Sequence, residues 1–212
     1  MDNKQIRYDI LKELFNVSVG QAASMLSEVV KKTILLDVPK IEIIKSDKEL
    51  CELQTHLPAV LDGTLMISSI TFQEQLTGEA NLIFPAEKMK TFINLCLNES
   101  EQEMQYSDMH FTDMDFDIIR EIGNIILNAI VGGLSNQIGI QLQYTLPEVQ
   151  VFDRIDFEED IQNKEYPYFL MLYITFDIGD TEIEGAVIVN LTLTSLKELM
   201  LIVTKIEDEL YG

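Results

Sequence analysis

The chain has 212 residues, 47% of them hydrophobic, so it can bury a sizeable core as one large domain or two small ones. Its formal net charge of −21 argues against nucleic acid and anionic membranes as partners, because both would repel it. Two cysteines and two histidines are too few for a disulfide scaffold or a zinc site.

The sequence contains no uninterrupted apolar run of about 18 residues or more, the length that a membrane-spanning helix needs. The first residues do not form a charged and then apolar leader. We therefore expect a soluble, cytoplasmic protein. In that compartment Cys51 and Cys96 are expected to stay reduced and to serve as packing residues.

The first half predicts a long helix, a strand interrupted by proline, a hairpin and a second helix. Apolar residues at helical spacing indicate the helices, and β-branched runs indicate the strands. Pro39 has no N–H to give to a sheet, so it should fix a bend or a sheet edge. The predicted bounds are about 5–31 for the long helix, 33–38 and 41–44 for the strand, 63–71 and 79–84 for the hairpin, and 86–97 for the second helix.

The second half repeats this order after a polar linker at about 99–111. Thr112-x-x-Asp115 is typical of a capping box that opens the next long helix, and Gly139 should end that helix. An acidic loop and a hairpin turning at Gly179-Asp180 are expected next, and Thr192 or Thr194 should cap a last helix. The predicted bounds are about 113–137 for the long helix, 141–144 and 148–152 for two strands, 153–165 for the loop, 168–178 and 182–190 for the hairpin, and 192–208 for the last helix.

The pattern Asp-x3-Glu-x2-Asn-x22-Pro occurs twice, and all four positions shift by 108 residues. Such recurrence indicates an internal duplication, with repeats of about 1–98 and 112–212. The first copy is Asp9, Glu13, Asn16 and Pro39, and the second is Asp117, Glu121, Asn124 and Pro147.

On a helix, the aspartate, glutamate and asparagine of each motif share one face. The same stripe continues through small or modest residues, which should leave room for another surface to approach: Gly20, Ala23 and Ser27 in the first copy, and Asn128, Val131 and Ser135 in the second. The opposite face is predicted to be core, formed by Ile6, Ile10, Leu14, Val17, Met25 and Val29 in one helix and by Ile118, Ile122, Ile125, Leu127, Ile130 and Leu134 in the other.

Short turns between the predicted strands favour an antiparallel sheet on which the motif helices pack. Each half alone would bury little surface, so the two halves should share one continuous sheet. The sequence therefore predicts a single α+β domain with internal pseudo-two-fold symmetry.

The segments Asp-Ile-Leu-Lys-Glu-Leu-Phe-Asn at 9–16 and Asp-Ile-Ile-Arg-Glu-Ile-Gly-Asn at 117–124, each with its downstream proline, carry a resemblance. The chain resembles the CheC/CheX/FliY family of phosphatases, which remove the phosphoryl group from the response regulator CheY. Two motifs in one chain of this length resemble CheC more than CheX or FliY. The α+β architecture with a shared sheet is also what this resemblance implies.

The chain lacks the common motifs of a self-sufficient phosphate hydrolase, such as a Walker loop or Cys-x5-Arg. The resemblance implies that Asn16 and Asn124 orient the attacking water at an aspartyl phosphate, and that Glu13 and Glu121 dock on the receiver's lysine. No cofactor of its own is then expected, since the magnesium ion belongs to the phosphorylated receiver. The same resemblance suggests CheD as a further partner.

The two motifs differ at the residue before the asparagine, where the family commonly has glycine. The second copy has Gly123, whereas the first has Phe15, whose ring either enters the core or crowds the receiver's approach. We therefore rank Glu121 and Asn124 above Glu13 and Asn16. Two alternatives stay open, a non-catalytic module that binds a receiver or CheD, and a structural adaptor that binds no receiver.

Overall fold

The structure, a computed structural model, describes residues 3–45, 57, 59, 61–97, 111–163, 166–178 and 181–211. The described residues form five helices and seven strands, which confirms the α+β class. In chain order the elements are α1 (Asn3–Val30), β1 (Ile34–Lys45), β2 (Thr64–Glu74), β3 (Gly78–Pro85), α2 (Ala86–Leu97), α3 (Asp113–Ile138), β4 (Leu142–Tyr144), β5 (Glu148–Asp153), α4 (Arg154–Asn163), β6 (Tyr168–Ile178), β7 (Thr181–Leu191) and α5 (Leu193–Tyr211).

All seven strands join one antiparallel sheet, as predicted. Its order is β1-β6-β7-β3-β2-β4, and β5 also pairs with β2. Strand β1 at one edge corresponds to β4 and β5 together at the other, β6 corresponds to β2, and β7 corresponds to β3, so the order reads the same from either edge. The arrangement therefore has an approximate two-fold axis between β3 and β7, and the division into repeats at about 1–98 and 112–212 stays an interpretation.

The helices lie on both faces of the sheet, but unequally. The larger core lies between one face and the helices α1, α2, α3 and α5. A smaller core on the other face contains Leu57, Leu61, Phe157 and Ile161. Both motif helices thus lie on the same side of the sheet.

Helix α4 corrects the prediction of an acidic loop at 153–165. Phe157 and Ile161 are one helical turn apart and fully buried against the sheet, which gives this acidic segment an apolar face. The Nε of Arg154 donates to the Oε1 of Glu158 at 3.0 Å and supports the first turn. The loop was predicted from the acidic composition of this segment, and the two apolar residues at helical spacing were not taken into account.

The predicted core face of α1 was wrong in part, since only Ile10 and Leu14 of it are placed against the main core. Val17, Met25 and Val29 are 44%, 52% and 63% exposed, whereas the buried stripe runs through Leu11, Phe15, Val19, Ala22 and Leu26. This helix is apolar on more than one side, so periodicity alone did not select the stripe that packs. In α3 the predicted face is largely confirmed, since five of its residues are buried: Ile122, Ile125, Leu127, Ile130 and Leu134.

Helices α1 and α3 pack against each other in antiparallel directions. The Nε2 of Gln137 donates to the Leu14 carbonyl oxygen at 3.2 Å and to the Ser18 Oγ at 3.0 Å. A Cβ at Gly133 would lie 2.5 Å from that same Oγ, so only glycine permits so close a crossing. The N-terminal half of each helix thus lies beside the C-terminal half of the other, and the two motifs lie near opposite ends of the pair.

The predicted ends of α3 are confirmed. Thr112 and Asp115 form the capping box, and Gly139 adopts a left-handed conformation with φ 70° beyond the last turn. The helix is long and apolar enough to cross a membrane, yet 61% of its most apolar window is buried inside the protein. It is therefore a core helix of the fold.

Pro39 lies where β1 departs from regular pairing. Strand β1 is at the sheet edge, and its register with β6 shifts between Asp37 and Lys40. The predicted bend and edge position are therefore both confirmed. Three other predictions, the linker over most of 99–111, the turn at Gly179-Asp180 and the state of Cys51, lie outside the described residues.

Candidate functional site

The two motifs present the same exposure pattern. Glu13 and Glu121 are exposed, and Asn16 and Asn124 are half-buried one turn further along α1 and α3. Each helix therefore carries a solvated carboxylate beside an amide that is partly held by the protein. The motif aspartates are exposed as well, and each has a neighbour on its own helix. The Nε2 of Gln5 donates to Asp9 at 3.0 Å, and Arg120 pairs with Asp117 at 2.5 Å.

Asn16 connects α1 to the irregular part of β1. Its Oδ1 accepts a hydrogen bond from the backbone N–H of Val38 at 3.0 Å. Because the β1 register shifts here, this N–H donates to the Asn16 side chain and not to strand β6. The contact gives a physical reason for the motif's spacing, since Pro39 directly follows the residue that fixes the amide.

Asn124 is fixed differently. Its Oδ1 accepts from the Nδ2 of Asn128 at 2.7 Å, one helical turn away. The residue that corresponds to Val38 is Leu146, which is 81% exposed, and Pro147 after it is buried. The two sites thus hold similar amides with different partners. Asn128 was predicted only to leave room beside the motif, but it is the residue that fixes the Asn124 amide.

The stripe beyond each asparagine does not leave the open surface that was expected. Ala23, Val131 and Ser135 are buried, at 7%, 3% and 6% exposure. The two equivalent serines instead bind the segments that follow their helices. The Oγ of Ser27 accepts from the Ile34 N–H at 2.9 Å, and the Oγ of Ser135 donates to the Ile140 carbonyl oxygen at 2.7 Å. An approaching partner therefore meets only the N-terminal half of each stripe.

The residues before the asparagines both face the interior. Phe15 is 1% exposed, so its ring enters the core and does not crowd the approach to Asn16. Gly123 packs on β2, where an added Cβ would lie 2.1 Å from the Ser68 Oγ and 2.7 Å from its Cβ. Packing against the sheet, and not access to the site, accounts for the glycine.

Replacing Gly123 by alanine is expected to destabilise the fold by about 1 to 3 kcal/mol, because the new methyl group overlaps Ser68 in a packed core. Urea denaturation measures the change. Gly20→Ala is the matched control, since nothing lies within 4 Å of the added Cβ on the same kind of long helix. The control should gain about 0.5 to 1 kcal/mol from helix propensity. Equal stability of the two variants would contradict the proposed packing role.

An apolar groove of about 180 Å³ opens beside Glu121. Leu26 and Val29 of α1, Ile118 of α3 and Leu97 of α2 line it, so a partner that reaches Glu121 also meets apolar surface. Cys96 lines the same groove and forms no disulfide, and burial raises the pKa of its thiol to about 11. At neutral pH it is therefore an uncharged packing residue, as the sequence analysis expected.

The described residues offer no group of three or more His, Cys, Asp or Glu side chains placed to hold a metal ion. The groups that the motifs themselves present are the amides of Asn16 and Asn124 and the carboxylates of Glu13 and Glu121. In both motifs the Nδ2 of the asparagine makes no hydrogen bond to another described residue. Each site thus has a free amide donor beside an exposed carboxylate.

No protein-family model matches the chain. Among curated proteins, the CheY-P phosphatase CheC of Bacillus subtilis (strain 168) is 24% identical over 148 residues, which cover 70% of this chain and 68% of CheC. Among solved structures, Thermotoga maritima FliY aligns with a TM-score of 0.70 and 18% identity, covering 94% of this chain and 96% of that one.

A chain of the FliG–FliM complex from H. pylori aligns with a TM-score of 0.62 and 10% identity, covering 92% of this chain and 97% of that one. These structural likenesses establish the fold alone, and the likeness to CheC adds similarity in sequence. Together they confirm the resemblance that the twin motifs predicted. The chain has the fold of the CheC/CheX/FliY family and is similar in sequence to CheC.

Proposed function

We propose that the protein is a phosphatase that hydrolyses the aspartyl phosphate of a chemotaxis-type response regulator. The observation that carries the proposal is the pair of an exposed glutamate and a fixed asparagine on each long helix, Glu13 with Asn16 and Glu121 with Asn124. The similarity to CheC supports it, since that relative is a CheY-P phosphatase. The proposed location is the cytoplasm, and CheD is a possible further partner.

The asparagines would position the attacking water. Water adds to phosphorus as the bond from phosphorus to the aspartyl oxygen breaks, which releases the carboxylate, inorganic phosphate and a proton. At Asn16 the bond from Val38 fixes the amide plane and leaves Nδ2 and the second lone pair of Oδ1 for a water molecule. Holding one reactant in line can lower the barrier by on the order of several kcal/mol.

The glutamates would dock the protein on its substrate. Glu13 and Glu121 are exposed on rigid helices, one turn before the asparagines, so each can form an ion pair with the active-site lysine of a receiver. That pair would set the depth at which the amide enters. The magnesium ion that neutralises the phosphoryl charge is expected in the receiver, and this protein adds no cofactor of its own.

A second candidate is a non-catalytic module that binds a receiver or CheD. It is favoured by one observation: the Oδ1 atoms of Asn16 and Asn124 both already accept hydrogen bonds inside the protein. Each oxygen has only one lone pair left to hold a water molecule. In a non-catalytic module the amides would bind the partner without orienting water. In that case binding and hydrolysis would separate in an experiment.

The deciding measurement is the rate of phosphate loss from a phosphorylated CheY-type receiver with and without the protein. We expect acceleration by catalytic amounts of the protein, because hydrolysis frees the receiver and the site turns over. A receiver that binds tightly while its phosphate lifetime is unchanged would select the non-catalytic module. Neither binding nor acceleration would favour the structural adaptor.

A further inference from the structure

The apolar groove beside Glu121 is open to solvent although its walls are hydrophobic. Val29 on α1 is 63% exposed, and Leu97 at the end of α2 is 38% exposed. Glu121 is the one charged residue among the described residues that line the groove. A water molecule takes up about 30 Å³, so a groove of about 180 Å³ has room for a side chain, and not for a helix.

The first motif provides a comparison within the same molecule. Under the 108-residue shift that relates the two motifs, Val29 corresponds to Gln137. The Nε2 of Gln137 donates to the Leu14 carbonyl oxygen at 3.2 Å and to the Ser18 Oγ at 3.0 Å, so a polar side chain bridges α1 and α3 at that place. Val29 has no polar group that could form such a bridge. The two helices are therefore joined by hydrogen bonds beside the first motif and leave an apolar opening beside the second.

The third helix at each site also differs. Helix α2 follows β3 and ends at Leu97 after 12 residues, whereas α5 follows β7 and runs for 19 residues to Tyr211. Near the end of α5, Glu207 is buried and pairs with Arg7 of α1 at 2.6 Å. The longer helix thus continues to contact the half of α1 that carries the first motif. The shorter helix ends at the groove, which leaves Leu97 exposed in its wall.

The position of Glu121 in the lining indicates what enters the groove. In the proposed function, Glu121 forms an ion pair with the active-site lysine of a receiver, so the receiver residues next to that lysine face the groove walls. An apolar side chain there would exchange water for apolar surface, which is favourable. A polar one would lose its hydrogen bonds to water and find no partner on the side chains of Val29, Leu97 or Ile118. A carboxylate at the edge of apolar surface therefore matches a lysine with an apolar neighbour.

We propose that the groove is a specificity site for the receiver. An aliphatic or aromatic side chain next to the receiver's lysine enters it as that lysine pairs with Glu121. The second site then binds receivers that carry such a side chain more tightly than receivers that carry a polar one. The first site should show no such preference, since Gln137 occupies the place of Val29. This inference rests on the proposed function, because it takes the receiver as the partner.

Isothermal titration calorimetry with a CheY-type receiver tests the proposal. The receiver carries magnesium and beryllofluoride, a stable mimic of the aspartyl phosphate, so that binding is measured apart from hydrolysis. Glu13→Ala removes the docking carboxylate of the first site, and the titration then reports the second. In this background Val29→Gln, which gives the groove the residue of the first site, should raise the Kd at least about fivefold through lost apolar contact.

Two further variants complete the design. Leu97→Gln changes the opposite wall of the groove and should also raise the Kd. Leu201→Gln is the matched control, since Leu201 is 62% exposed on α5 and does not line the groove, and it should leave the Kd unchanged. None of these substitutions alters the net charge, so a change in general electrostatic attraction cannot produce the difference.

A double-mutant cycle identifies the side chain that enters. Each exposed apolar residue around the receiver's lysine is replaced by alanine, and the one in contact with the groove should show a loss that is not additive with that of Val29→Gln. Receiver binding that is unchanged by Val29→Gln would overturn the groove proposal and leave the phosphatase proposal standing. The expected loss of affinity in a protein that does not accelerate hydrolysis would overturn the phosphatase proposal alone.

The remaining outcomes are also decisive. A protein without substitutions that does not bind the receiver would overturn both proposals. If Val29→Gln changed the sedimentation of the protein alone and not its affinity for the receiver, the groove would hold a second copy of this chain, and the specificity proposal would be wrong.

Discussion

Replacing Asn16 and Asn124 together by alanine is expected to reduce the acceleration of receiver dephosphorylation by about 100-fold or more. The loss should be large because each site would keep its carboxylate but lose the one fixed amide that can orient water. The measurement is phosphate release from a phosphorylated receiver at a fixed concentration of each variant. Persistence of the full acceleration in the double variant would refute the proposed mechanism.

The single variants tell which site works. If the two sites were equally active, Asn16→Ala and Asn124→Ala would each leave about half of the acceleration, since one site remains in each variant. The second site adjoins an apolar groove that offers a partner more contact surface, so we expect Asn124→Ala to have the larger effect. Asn136→Ala, an exposed asparagine near the end of α3, is the matched control and should keep full activity.

The first site requires a stability control. Asn16→Ala leaves the Val38 N–H without its partner, which should cost about 1 to 3 kcal/mol. Asn16→Asp retains an acceptor for that N–H and removes the free amide donor. Activity lost in a stable Asn16→Asp protein would therefore be a loss of chemistry, and not of fold.

The largest expected effect on stability is that of Asp115→Asn, a loss of about 2 to 3 kcal/mol at pH 7. The side chain of Asp115 is 5% exposed and accepts from Lys90 at 2.8 Å and from the Thr112 N–H at 2.7 Å. An asparagine keeps one acceptor but removes the negative charge that pairs with Lys90. Urea denaturation at pH 7 measures the difference.

The effect of Asp115→Asn should depend on pH. Burial alone would raise the pKa of Asp115, but hydrogen bonds from Lys90 and Thr112 outweigh burial and hold this pKa below its ordinary value. A lowered pKa stabilises the fold above the unfolded-state value of about 3.9, and the contribution is lost as pH falls through the folded-state pKa. The gap between wild type and variant should therefore be full at pH 7 and shrink below about pH 4.

Asp113→Asn serves as the matched control in the same helical turn. Asp113 is exposed and interacts mainly with the helix dipole, so its loss should cost about 0.5 kcal/mol. If Asp115→Asn cost no more than this control, or if its cost did not change with pH, the ion pair with Lys90 would not be the source of stability.

Local interactions explain what could be predicted from the sequence. The capping box at Thr112 and Asp115 and the left-handed Gly139 mark the ends of α3 because each acts within a few residues of the chain. The antiparallel sheet followed from short turns between β-branched runs. The twin motifs predicted the family's fold before any comparison, since their common spacing is itself a sequence property.

Tertiary contacts decided the rest. Phe15 and Val17 are both apolar residues of α1, and only packing against the sheet and α3 buried the first and exposed the second. Helix α4 depends on the packing of Phe157 and Ile161 against the sheet face opposite the motif helices. The bond from Val38 to Asn16 joins residues 22 positions apart, and no local pattern contains it. Sequence by itself determined the helices and strands other than α4, and where the motifs recur, because these depend on near neighbours. Which face each helix buries, and what holds the Asn16 amide, depended on distant segments that meet only in the folded protein.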